Sequence, residues 1–376
     1  MTTLDPAELA RPAVRGLPAY NAGLSSAAVR RLYGLERVAR LGSNENPYGA
    51  GAAVRRALAA LADDIWTYPD PSCGALKQAI GARTGIEPGR IIVGNGSENL
   101  LELLCLAFLE PGDRVVTQTP SFGLHVIYPQ MMGAAVETVA LGAGLAYDAD
   151  AWVAAAASAP KMLILCNPSN PVGCRYGRAD FARIVQAAPE RTLLVVDEAY
   201  HEYALHDPDY PDALQALQGR RGAWIVLRTF SKAWGLAGLR VGYGLASHAA
   251  IAALGDRVRT PFNVNQAAQH AALAAWNDAR HMRQSVQATV RSRERMAQDL
   301  RALGLPGLRI APSAANFLWL DLGADSAAVH EALLARGFIT KAWKDPGFET
   351  CLRVSIGLPA QNEAFVGALG EILGAG

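Results

Sequence analysis

Charge is scarce in this 376-residue chain, and lysine is scarcer still. Only 18% of residues are charged while 51% are hydrophobic, which excludes an intrinsically disordered chain and leaves ample material for a core. Thirty-five Lys and Arg oppose thirty-four Asp and Glu, a net charge of +1. That balance gives no reason to expect nucleic acid or an acidic membrane as partner. The five cysteines, at 73, 105, 166, 174 and 351, contain no C-x-x-C pair. With seven histidines they form no zinc-like spacing, so no metal site is expected. An odd count leaves one thiol unpaired, and the set reads as reduced, mostly buried thiols of a cytoplasmic protein. No apolar segment follows the start MTTLDPAELARPAVRG, so no secretory signal is expected. The longest apolar run, Leu100 to Leu109, is interrupted by Glu102 and is too short to span a bilayer. No P-loop motif is present, and Asn99 stands where a G-x-G-x-x-G would need its third glycine. Only five lysines occur, Lys77, Lys161, Lys232, Lys341 and Lys344, so chemistry that needs a primary amine has few candidates.

The length suits one large domain and a smaller one. Residues 1–45, with Pro12 and Pro18 and a short helical stretch SSAAVRRLYGL, read as an arm. Residues 46–265 alternate short apolar runs with helical ones. IIVGNG, RVVTQTP, AAVETVAL, KMLILCNPSN, RTLLVVDEAY and GAWIVLRTFS read as strands, and the alternation predicts βαβ units with a mainly parallel sheet. The Ala-rich stretch from about 265 to 303 reads as helical. It leads into strands NFLWLDL and CLRVSIG, so residues 266–376 are expected to form the smaller α/β domain.

Ligands of open α/β sheets gather at the carboxyl ends of the strands, and four strands deliver polar residues there. Gly94-Asn95-Gly96-Ser97 opens a helix whose free N–H groups suit an anion, with Ser97 as a candidate N-cap and Glu98 in the first turn. Asn167 and Asn170 are set between prolines in CNPSNPVG. Asp197 follows an apolar run, where a carboxylate is costly unless it meets a cation or donor. Lys232 lies in RTFSKAWGLAGLRVGY, with Ser231 before it, Arg240 eight residues on and small residues between. Each segment alone also reads as an ordinary turn, cap or surface charge. Together they fit pyridoxal 5'-phosphate, which needs a lysine amine, an acid facing its pyridine nitrogen, a phosphate cup and a stacking ring. Phe122 in TPSFG is the candidate ring.

The chain resembles the fold-type-I pyridoxal-phosphate aminotransferases, and within them the histidinol-phosphate aminotransferase family. The resemblance runs over LGSNENPYG (41–49), YPDPSCGALKQAI (68–80), VGNGSENLLELL (93–104), NPSNPVG (167–173), VVDEAYHEY (195–203), RTFSKAWGLAGLRVGY (228–243), PFNVN (261–265) and LRVSIG (352–357). It implies an α/β fold with a seven-stranded, mainly parallel sheet between helices. Lys232 would carry the cofactor, Asp197 would pair with its pyridine nitrogen, and Asn170 and Tyr200 would hydrogen-bond its ring oxygen. Phe122 would stack on the ring where many relatives have Tyr. Gly96, Ser97, Glu98, Ser231 and Arg240 would hold the phosphate. Tyr68 would reach the phosphate of a neighbouring subunit, implying a homodimer. Arg353 would bind the substrate anion, with Tyr20, Asn46, Lys341 and Phe262 as further substrate contacts.

The departures lie on the substrate side. Lys341 stands where relatives that use histidinol phosphate tend to carry Arg, and a point charge recognises phosphate differently from a guanidinium fork. Phe262 stands where some have Tyr. The resemblance implies histidinol-phosphate:2-oxoglutarate amino transfer. An aromatic amino acid as donor, or decarboxylation of a phosphorylated amino acid on the same fold, are the alternatives. A regulatory use of the fold with a DNA-binding module is disfavoured, because no helix-turn-helix pattern precedes residue 45.

Overall fold

The computed structural model describes residues 5–21 and 23–374. In chain order its strands are β1 (Ala39–Arg40), β2 (Ile91–Gly94), β3 (Arg114–Thr119), β4 (Ala135–Ala140), β5 (Met162–Cys166), β6 (Leu193–Asp197), β7 (Trp224–Thr229), β8 (Gly242–Ala246), β9 (Arg309–Ile310), β10 (Phe317–Asp321), β11 (Phe338–Ile339), β12 (Lys341–Ala342) and β13 (Cys351–Ser355).

Seven of these form one sheet in the order β2-β8-β7-β6-β5-β3-β4. β3 to β7 pair in parallel, and β8 runs antiparallel to both its neighbours. The central strands β5, β6 and β7 are buried at every residue. Helices cover both faces, which is why these strands read as continuous apolar runs rather than alternating ones. β8, GYGLA, is the strand that sequence reasoning passes over. Its glycines are demanded by contact: a Cβ on Gly242 would lie 2.4 Å from the Ser97 nitrogen, and one on Gly244 would lie 2.8 Å from Ile225.

A second, four-stranded antiparallel sheet has the order β12-β13-β10-β9. Leu318, Leu320, Leu352 and Val354 pack with Met296, Leu300, Phe365 and Leu369 into its own core. The stretch expected as helical is helical, in two pieces, Gln266–Asn277 and Ala279–Ala302. Asp278, at φ −118° and ψ 68°, leaves the helical region between them. The first of the two buries Ala268, Ala271, Ala272, Ala275 and Trp276 in the core beneath the large sheet. By packing it sides with that sheet, so we propose the domain division inside Ala279–Ala302 rather than at residue 266.

The arm is stitched to the small sheet. β1 pairs in parallel with β11, and the Ser355 amide donates to the Leu41 carbonyl at 2.8 Å. This pairing carries residues 42–44 to the mouth of the large sheet.

Candidate active site

Three parallel strands end side by side in a cleft of about 230 Å³. β5 delivers Cys166 and the turn to Asn170, β6 delivers Asp197, and β7 delivers Thr229, Ser231 and Lys232. Register sets this order, since Cys166 pairs with Asp197 and Asp197 with Leu227. The arm closes the cleft with Tyr20 and Gly42 to Asn44, and the small sheet closes it with Lys341 and Arg353.

Lys232 is half-buried in this wall. Its Nζ donates to the Ser43 carbonyl at 2.9 Å and lies 5.9 Å from the centre of the Tyr200 ring. Burial, and next the positive charge of Arg353, lower its pKa from the ordinary lysine value to about 8. This raises the share of neutral amine near neutrality, the form that nucleophilic chemistry at nitrogen requires.

Asp197 is buried with both oxygens engaged. Oδ1 accepts from the Ala199 amide at 3.0 Å, and Oδ2 lies 2.9 Å from His125 Nε2. With the carboxylate as acceptor, Nε2 carries the proton. Nδ1 then accepts from the Ser121 hydroxyl at 3.1 Å. Sequence reasoning missed His125. It is fully buried, and its signal is weak: a histidine four residues after Ser121, in a helix that contains Pro129.

The opposite end is built for an anion. Helix Ser97–Phe108 begins after Gly96 with no side-chain cap. The expected Ser97 cap is therefore not formed. Gly96 is the N-cap, and the first N–H groups are left for a ligand. Gly96 sits at φ +88°, and a Cβ there would lie 2.7 Å from Arg240 Nη2, so a side chain at this position would strain the backbone and displace the guanidinium. Arg240 donates to Ser231 Oγ at 3.2 Å and to Glu98 Oε2 at 3.3 Å. Backbone donors, Ser231 and a guanidinium thus converge on the cleft wall shared with Ser97 and Glu98.

Arg353 is buried on the cleft face of β13, opposite Leu352 and Val354, which enter the small core. Nη1 donates to Asn170 Oδ1 at 2.5 Å and Nη2 to the Gly42 carbonyl at 2.6 Å. Its Nε is buried without a partner, so the guanidinium keeps unused donors. Lys341 is its direct cross-strand partner and donates from Nζ to the Asn21 carbonyl at 2.6 Å. Burial, then Arg353, pull the Lys341 pKa down. Tyr200 lines the same wall, its hydroxyl accepting from Asn44 Nδ2 at 2.9 Å, and burial pushes its pKa up. Tyr20 meets Phe122 edge to face at 6.0 Å, and both line the cleft.

Three expected residues lie elsewhere. Asn46 faces away from the cleft: Nδ2 donates to the Ala233 carbonyl and to Ser285 Oγ at 2.9 and 3.0 Å, and Oδ1 accepts from the Tyr48 amide at 3.0 Å. Its neighbour but one, Asn44, takes the cleft position, turned in by a left-handed φ of 55° and braced by Ser355 Oγ at 2.9 Å. Among the described residues the cleft is thus lined by Asn44 and not by Asn46. Tyr68 and Phe262 stack on each other with centroids 4.6 Å apart, outside this chain's own cleft, and Tyr68 is 79% exposed.

Comparisons with known proteins place the whole chain in one family. The profile of the family "Aminotransferase class I and II" matches residues 36–369. Histidinol-phosphate aminotransferase 3 of Rhizobium meliloti (strain 1021) is 46% identical over 98% of both chains. Histidinol-phosphate aminotransferase 1 of Mesorhizobium japonicum is 46% identical over 94% of this chain and 95% of its own. The crystal structure of the histidinol-phosphate aminotransferase from Sinorhizobium meliloti, in complex with pyridoxal-5'-phosphate, covers 96% of both chains with a TM-score of 0.87 and 31% identity. The chain is a pyridoxal-phosphate-dependent enzyme that belongs to the class I and II aminotransferases, in their histidinol-phosphate aminotransferase branch.

Proposed function

We propose that this enzyme transfers the amino group of histidinol phosphate to 2-oxoglutarate. The observation that carries the reading is one cleft with an amine of lowered pKa, a buried carboxylate and two separate cationic ends, Arg240 and Arg353. The names of the full-length relatives support the substrate pair.

The residues fit pyridoxal phosphate on this structure's own terms. The uncapped helix start and the glycine at 96 leave room and donors for a phosphate, and the unpartnered Arg353 Nε leaves a donor for a second anion. When bound, the cofactor supplies an electron-poor ring that stabilises negative charge developing at the substrate α-carbon. Asp197 would hold the proton on the pyridine nitrogen, and His125 and Ser121 keep that carboxylate oriented. Ser97, Ser231 and Arg240 would bind the phosphate, with the backbone at Gly96 and Glu98. Asn170 retains its Nδ2 and Tyr200 its hydroxyl proton to donate to the ring oxygen. Phe122 would cover one ring face and exclude water. Lys232 Nζ would bind the cofactor aldehyde and afterwards carry a proton to and from the α-carbon. Arg353 would orient the substrate through its carboxylate or phosphate, with Lys341 and Tyr20 beside it.

A second reading, an aromatic amino acid as donor, is favoured by one observation. A cavity of about 530 Å³ continues past Tyr20 and Phe122 between Val126, Ile127 and Trp343. Its wall also carries Lys341 and Lys344, so it can take a phosphate as well as a ring. Comparing kcat/KM for histidinol phosphate and for phenylalanine, with 2-oxoglutarate as acceptor, decides between them. A preference for phenylalanine would overturn the histidinol phosphate reading.

The exposed Tyr68–Phe262 stack, beside exposed Ile65 and Trp66, supports a homodimer in which Tyr68 serves the partner's phosphate site. All five cysteines are buried free thiols, which supports work in the reducing cytoplasm. Among the described residues no helix is long and apolar enough to cross a membrane.

A further inference from the structure

We propose that the cofactor-free cleft binds one divalent cation of the zinc class through His125, Cys166 and Asp197. Among the described residues these form the one group of three or more His, Cys, Asp or Glu whose ligand atoms converge, all within 4.8 Å of one another. Spacing along the chain hides the group, which is why sequence reasoning expects no metal. Cys166 ends β5, Asp197 ends β6, and the two are direct partners in a parallel pair, so their side chains leave the sheet on the same face. His125 comes from the first turn of the helix Leu124–Met131. All three are buried, and Cys166 and Asp197 form cleft wall.

The donor set selects the ion. An imidazole, a thiolate and a carboxylate suit zinc or cobalt, whereas magnesium and calcium take oxygen ligands. The charge closes as well. A dication, one thiolate and one carboxylate sum to zero, so no net charge is buried.

The proton balance is simple. The Cys166 thiol loses its proton to solvent. His125 stays neutral: its proton leaves Nε2, which ligates, and Nδ1 is protonated in its place. Ser121 Oγ, 3.1 Å from Nδ1, changes from donor to acceptor and holds the ring as an outer partner of the metal ligand. Cys166 has no assignment in the proposed reaction, and its Sγ contacts the Pro168 carbonyl at 3.4 Å.

This inference rests on the proposed function in one respect. There Asp197 faces the pyridine nitrogen, so metal and cofactor compete for one carboxylate.

The test uses the full-length chain stripped of pyridoxal phosphate, with Co²⁺ alone as the probe. One Co²⁺ should bind per chain and show thiolate-to-cobalt charge-transfer absorption. That band should vanish in Cys166→Ala, and affinity should fall by about tenfold or more in His125→Gln. Bound Co²⁺ should slow cofactor loading, and loaded chain should not take up the metal. Absence of stoichiometric binding, or an unchanged band in Cys166→Ala, overturns the proposal. X-ray absorption of the zinc-loaded wild-type chain needs no variant: one sulfur with nitrogen and oxygen neighbours is expected, and a shell without sulfur overturns it. Metal bound at these residues with no effect on cofactor loading supports the site and refutes the placement of the pyridine nitrogen at Asp197.

Discussion

Lys232 should titrate far below an ordinary lysine, and the cleft gives the reason. Its ammonium sits half-buried, with the Ser43 carbonyl as hydrogen-bond acceptor and the Arg353 guanidinium as a repelling charge. Burial first, and then Arg353, lower its pKa to about 8. At about pH 7.5 this leaves roughly a quarter of the chains with a neutral amine, against about one in a thousand for a lysine at its ordinary value. The gain in reactive form is therefore on the order of 200-fold. Competitive trace acetylation of the cofactor-free chain, read by peptide mass spectrometry, measures it directly. Labelling of Lys232 should climb with pH to about 8 and then level off, while an added amine of ordinary basicity climbs to about 10.4. Arg353→Met should move the midpoint up, with burial still holding it below the ordinary value. The folding penalty of protonated Lys232 is full below about pH 8. It fades as pH rises toward about 10.4, so the cofactor-free chain should gain stability from this group across that window. A Lys232 midpoint equal to that of the reference amine would refute desolvation in the cleft. A midpoint unmoved in Arg353→Met would refute the part given to the arginine.

Three substitutions probe the other parts. Asp197→Asn keeps the shape and removes the charge; cofactor should still bind, and turnover should fall roughly 10- to 1000-fold, so near wild-type single-turnover rates would count against the assignment. Arg353→Lys replaces a buried fork by a point charge and should cost roughly 2–4 kcal/mol in kcat/KM. Both half-reactions should suffer, since each presents an anion, and a loss confined to one of them contradicts a shared site. Lys341→Ala should weaken histidinol phosphate and spare phenylalanine in steady-state assays; equal losses would make Lys341 structural, and no loss for either would remove it from recognition.

The strands at the heart of the sheet were legible because burial on both faces leaves unbroken apolar runs that end in polar residues. Asp197 and Lys232 stood out as charges at those ends. β8 was not legible, since GYGLA carries glycines for close approach to Ser97 and Ile225, and glycine argues for a turn. The break at Asp278 and the packing of Gln266–Asn277 against the large core depend on which face meets which sheet, and periodicity does not carry that. Asn44 and Asn46 lie two apart in LGSNENPYG, and a left-handed φ at Asn44 decides which one enters the cleft. His125 reaches Asp197 only through the tertiary fold. Tyr68 and Phe262 meet each other outside this chain's own cleft, a contact that only the tertiary fold makes.

The central claim is that Lys232, alone among the five lysines, carries the cofactor. Borohydride reduction of the chain loaded with pyridoxal phosphate, followed by peptide mass spectrometry, tests it most directly. A single pyridoxyl adduct on Lys232 is expected, together with loss of nearly all turnover in Lys232→Ala. An adduct on Lys77, Lys161, Lys341 or Lys344 in place of Lys232 would contradict the account.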